Sequence, residues 1–97
     1  MKLSNKEKRE LLQKAFWDTN MNMDYLLSLL EGGPERFPGD RANLYLRLLR
    51  AHHWYTLIRL IPTERLRDEA LSEAVVSRLF PKELREKYEY ARAVLSE

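Results

Sequence analysis

The stretch "LRLLRAHHWYTLIRLIP", residues 46 to 62, decides how the chain is read. At 100° per residue, positions 41 to 51 gather Asn43, Arg47 and Arg50 on one narrow side. Ala42, Leu44, Tyr45, Leu46, Leu48, Leu49 and Ala51 spread over a broad apolar arc. Continued without interruption, the same helix would swing Trp54, Leu57, Ile58, Leu60 and Ile61 almost opposite the centre of that arc. A surface helix cannot exchange its buried face by half a turn, so the spacing predicts two helices and a bend at His52 and His53. A histidine near a helix C-terminus meets the dipole and the free carbonyls there, which suits His52. His53 takes the capping position of the helix that follows.

Outward from this joint, three glycines and four prolines punctuate the 97 residues, and strand-like alternation is lacking. The pattern predicts an all-α fold, a single-domain orthogonal bundle of six or seven short helices over residues 1–97. Ser4 followed by Glu7 forms a capping box for a first helix that carries Leu11, Leu12, Ala15 and Phe16 and runs to about Trp17. Asp18, Thr19, Asn20 and Asn22 favour a turn. "MDYLLSLLE" then carries Tyr25, Leu26, Leu27, Leu29 and Leu30 and stops at Gly32 and Gly33. Residues 32 to 40 form a Gly/Pro loop, with Asp40 expected to cap the third helix. Pro62 ends the fourth helix, Thr63 caps a fifth bearing Leu66, Ala70 and Leu71, and Ser72 with Glu73 opens a sixth whose stripe is Val75, Val76, Leu79 and Phe80. Pro81 belongs in the first turn of the last helix, which buries Leu84, Tyr88, Ala91 and Leu95 and pairs Glu83 with Lys87 outside.

The net charge is +2, too small to argue for a polyanion partner, but it is unevenly placed. Residues 36 to 67 hold seven cations, all arginine, against two anions, while the flanking segments are slightly acidic. Arginine suits bidentate contacts to carboxylate or phosphate and stacking on aromatics. With no cysteine, neither disulfides nor thiolate zinc sites are available. The charged start and the lack of a long apolar run lead to the expectation of a cytoplasmic protein with no membrane association.

Chemistry-bearing motifs are scarce. Adjacent histidines on a helix point about 100° apart and make a poor metal pair, so no metal is expected. Phosphate-loop, dinucleotide and nucleophile-elbow patterns are missing, and the reading is of a non-enzyme without cofactor. What remains is a surface. The residues expected to bind a partner are Arg47, Arg50, Tyr55 and Arg59, with Trp17, which falls off the apolar face of its helix, as an aromatic anchor. The partner expected is another protein, with self-association left open. The alternative is a weak nucleic-acid binder in which the helices on either side of the bend imitate a helix-turn-helix.

At "AFWDTNMNMDYLLSLLEGG", "HHWYTLIRLIP" and "VVSRLFPKELREKYEYAR", the order of features resembles a family of small uncharacterised bacterial helical proteins that open with a Phe-Trp-Asp signature. Phe16, Trp17 and Asp18 match it, while His53 stands where the family more often has an acidic cap. Members are often encoded beside nucleotidyltransferase-type toxins. The resemblance therefore implies an accessory or antitoxin-like partner role.

Overall fold

Residues 3–95 are described in a computed structural model. Among these residues seven α-helical segments follow one another: α1 (Asn5–Ala15), α2 (Met23–Leu30), α3 (Asp40–Ala51), α4 (Trp54–Leu60), α5 (Thr63–Arg65), α6 (Glu73–Val76) and α7 (Lys82–Leu95). A π-helical turn, Leu66–Ala70, continues α5. Strands are absent among the described residues. The Cα radius of gyration is 12.7 Å, against about 12.5 Å for a folded chain of this length.

The bend lies where the switch of apolar face requires it. α3 ends at His52, which is extended (φ −126°, ψ 153°), and His53 (φ −77°, ψ 161°) is the N-cap residue of α4. Two consecutive extended residues reset the helix phase. Leu44, Tyr45, Leu48 and Leu49 are therefore buried before the joint and Leu57, Leu60 and Ile61 after it. His52 serves the interior differently from the role its position suggests: its Nε2 donates to the Leu11 carbonyl of α1 at 2.9 Å. The ring ties two helices together, while the backbone N–H closes α3 on the Leu48 carbonyl at 3.1 Å. His53 occupies the cap without a side-chain cap bond.

α3 is the central element, touching α1, α2, α4, α6 and the π-turn. Around it one apolar cluster gathers leucines from α1 and α2, the Val75 and Val76 pair, Leu79 and Tyr88. At about 25 cal/mol per Å², a fully buried leucine contributes roughly 1.5–3 kcal/mol. The π-turn has a packing reason. Leu71 N–H bonds the Leu66 carbonyl at 3.0 Å, an i to i+5 link that brings residue 71 nearly over residue 66. Leu66, Ala70 and Leu71 thus all reach the core, while Glu69 meets Tyr45.

The capping box forms: Ser4 N–H donates to Glu7 Oε1 at 3.0 Å and Glu7 N–H to Ser4 Oγ at 3.2 Å. Several local expectations need correcting. α1 stops at Ala15, short of Trp17, because Thr19 N–H and hydroxyl both turn back to the Phe16 carbonyl. Gly39, at φ +94°, caps α3, a conformation open to a residue without Cβ. Asp40 is the first helical residue, and its Oδ2 accepts from Phe37 N–H at 3.3 Å and from the Tyr25 hydroxyl at 2.5 Å. Pro62, not Thr63, occupies the cap of α5. The Pro81 carbonyl accepts from Leu84 and Arg85, which places Pro81 ahead of the first helical residue of α7. Phe80 departs from the stripe of α6 and is exposed, because that helix ends at Val76 and Phe80 falls in the turn beyond it. Along α7 only Tyr88 is fully buried; Leu84 and Ala91 are half-buried and Leu95 is exposed. The i, i+4 pairs seen there are Lys82–Glu86 and Arg85–Glu89, and Lys87 instead lies over the Tyr88 ring.

The Tyr88 hydroxyl is buried without a hydrogen-bond partner among the described residues. An unpaired buried hydroxyl carries its desolvation cost with no return, so Tyr88→Phe is expected to be neutral or stabilising by up to about 1 kcal/mol. Urea unfolding checks this, and a loss above about 1 kcal/mol would show that the hydroxyl has a partner.

Candidate functional site

The surface around the C-terminal ends of α1 and α3 begins with three consecutive residues that take three different fates. Phe16 is buried in the core, Trp17 is 81% exposed, and Asp18 accepts from Arg47 Nη1 at 2.6 Å. The same Nη1 donates to the Ala15 carbonyl at 3.2 Å, and the guanidinium lies over the Phe16 ring, 4.9 Å from its centroid. Arg47 therefore satisfies an end carbonyl of α1, pairs with the residue after Trp17 and covers the residue before it. The turn is held from both sides and Trp17 is left pointing away. The Arg47 hydrogen bond, followed by its charge, keeps the Asp18 carboxyl below the ordinary aspartate range.

Lys14, Trp17, Asp18, Arg47, Arg50 and Ala51 line an open groove of about 340 Å³ between the two helix ends. A second, narrower cleft of about 190 Å³ lies between α1 and α4. Leu3 and Leu11 line it together with Glu7, Glu10, Lys14, Thr56 and Arg59. Lys14 belongs to both, so the two depressions form one trough along α1. Glu7 lies below its ordinary carboxylate range, first through the Ser4 backbone and hydroxyl donors of the capping box and then through the charge of Arg59.

Of the residues expected from sequence, Trp17, Arg47 and Arg50 come together around the first groove, and Arg59 stands in the second. Tyr55 is 78% exposed on α4 but lines neither. Arg47 is committed to intramolecular partners, whereas Arg50 makes no hydrogen bond or ion pair among the described residues. The sequence does not single out Lys14 or Thr56, and it presents Glu7 and Leu11 only as a cap and a core residue. A signal existed for Lys14, which stands three residues before Trp17 and so shares its helix face.

The remaining arginines of the central segment are taken up by partners within the chain. Arg41 donates from Nε to the Leu29 carbonyl at 3.1 Å and from Nη2 to the Gly33 carbonyl, closing the end of α2. Arg65 pairs with Glu69 at 2.9 Å, Arg67 pairs with Asp68, and Arg36 lies over the Tyr25 ring. Among the described residues, no group of three His, Asp or Glu side chains is placed to hold a metal, and no helix is long and apolar enough to cross a membrane.

No known protein-family model, curated protein or solved structure matches this chain.

Proposed function

We propose that this protein acts by binding another protein through the surface centred on Trp17, with Arg50 and Arg59 as its charged flank. The observation that carries the reading is the exposed indole on a braced turn. Leaving a tryptophan in water forgoes on the order of 2 kcal/mol or more of burial, and here Phe16 in the core and the Arg47–Asp18 pair hold it there. A rigid aromatic beside arginine is the composition of a binding hot spot, since little side-chain freedom is lost on docking. Arg47 acts as a positioning residue for this surface. The resemblance carried by Phe16, Trp17 and Asp18 supports an accessory or antitoxin-like role for the interaction.

The distribution of free charge favours protein over nucleic acid. Four of the seven central arginines are tied to carboxylates or backbone carbonyls of this chain. Phosphate binding grows with the number of cations available, and few remain. Trp17→Ala with Arg50→Ala is expected to weaken partner capture by about thirtyfold or more, without change in the circular dichroism melt. The check is quantitative pull-down from the native host; an unchanged partner set with the double variant would sink this choice of surface.

A further inference from the structure

We infer that the partner presents an acidic segment carrying an apolar residue, laid along the trough between α1 and the α3–α4 joint with the apolar residue against Trp17. The inference rests on the protein-binding reading and names the chemistry that reading leaves open. Its basis is charge complementarity. At the Trp17 end, Lys14 and Arg50 are exposed cations without an ion pair among the described residues, while the nearby Asp18 is already occupied by Arg47. A carboxylate entering the groove between Trp17 and Arg50 meets two free cations, and the groove's own carboxylate, Asp18, is already paired; the free carboxylate nearby, Glu10, lies on the other side of Trp17 and Lys14. At the other end Leu3 and Leu11 line the trough beside two carboxylates, Glu7 and Glu10, and one cation, Arg59. The Glu7 and Glu10 carboxylates there discourage a continuous polyanion, so the acidic residues of the partner belong at the Trp17 end. A nucleic-acid strand would bring a phosphate at each step along this length, so the mixture of free cations, apolar lining and acidic rim fits a short acidic peptide better.

The trough follows α1, whose 11 residues span about 16 Å at 1.5 Å per residue. A matching helical probe has about 12 residues. Three probes are to be titrated into the full chain at low salt: an acidic peptide with leucine or phenylalanine at every third or fourth position, glutamate at the remaining positions of one half and glutamine in the other, its counterpart with lysine for glutamate, and an oligothymidylate of similar length. Two-dimensional NMR reads the indole N–H resonances of Trp17 and Trp54 separately. The acidic peptide is expected to move the Trp17 indole, to bind more weakly as salt rises, and to lose about tenfold or more in affinity with Lys14→Glu and Arg50→Glu combined. The lysine peptide is expected to bind that variant better than it binds the wild type. If the acidic peptide leaves the Trp17 resonance unmoved, or the oligothymidylate binds as tightly through the same resonances, the acidic-segment inference falls. A partner that is lost with Trp17→Ala while the acidic peptide fails would leave protein binding intact and remove only its proposed chemistry.

Discussion

Leu48→Ala is expected to lower the free energy of unfolding by about 3–5 kcal/mol, the largest effect of any single truncation proposed here. Leu48 has no exposed surface and lies in α3, the helix against which α1, α2, α4, α6 and the π-turn all pack. The loss combines the transfer of three carbons out of the core with a cavity that five converging elements cannot close without moving their other contacts. A domain of this size is stable by about 5–15 kcal/mol, so from about a fifth to all of the total is at stake. The melting temperature should fall by roughly 15 °C or more. Ile58→Ala is the comparison. Ile58 shares the apolar side of α4 by sequence, yet it is 41% exposed, and its truncation is expected to cost less than about 1 kcal/mol. Urea and thermal unfolding of both variants decide the matter; equal losses would show that α3 is not the centre of the core.

That pair of variants also separates what periodicity reveals from what it cannot. The half-turn jump between Leu49 and Leu57 located the joint at His52–His53, because apolar phase is a local property of consecutive residues. The buried residues of α3, Leu44, Tyr45, Leu48 and Leu49, lie on the same wheel's apolar arc, whose Ala42 and Leu46 are only partly buried and whose Ala51 is exposed. The exposure of Ile58 and Phe80 does not, since each depends on where the next element packs. The His52 ring bond to Leu11 joins residues 41 apart, and the Arg47–Asp18 pair joins residues 29 apart. No spacing rule reaches so far. The candidate site shows the same division: Trp17 stands out because it leaves the face of Leu11, Leu12 and Ala15, and Arg50 because it shares the polar side of α3. That Arg47 would be consumed by the chain itself, and that Tyr55 would stand outside the trough, required the helices to be placed. Gly39 replaced Asp40 as the cap for a different reason. Asp40 was drawn to partners outside its helix, Phe37 N–H and the Tyr25 hydroxyl, and a left-handed glycine made the turn available.

The second large effect is alkaline. Tyr45 is 1% exposed, and burial, followed by the charge and hydrogen bond of Glu69, pushes its hydroxyl up to about 12. The phenol donates to Glu69 Oε1 at 3.1 Å, while Arg65 holds the other carboxylate oxygen at 2.9 Å. Ionised, Tyr45 would place an anion in the core beside a carboxylate. In the unfolded chain the phenol ionises near its ordinary value, about 10. Between these two values the folded state keeps a proton that the unfolded state has released, so stability falls as pH rises. The contribution is fully present below about pH 10 and is lost through about pH 12. A shift of about two units corresponds to just under 3 kcal/mol. Glu69 and Arg65 are partly solvated, with side chains 38% and 32% exposed, and screening there reduces the expected loss to about 1–2 kcal/mol. Burial raises the Tyr88 hydroxyl in the same direction. Urea unfolding at a series of pH values from 8 to about 11.5 in the wild type, Tyr45→Phe, Tyr88→Phe and the double variant separates the two contributions. Tyr45→Phe is expected to be less stable than wild type by about 1 kcal/mol near neutrality, where the hydrogen bond to Glu69 is missing, and to lose less stability as pH rises. Tyr88→Phe removes a smaller part of the slope at no cost near neutrality. Parallel pH profiles for wild type and the double variant would mean that neither phenol is held neutral by the fold.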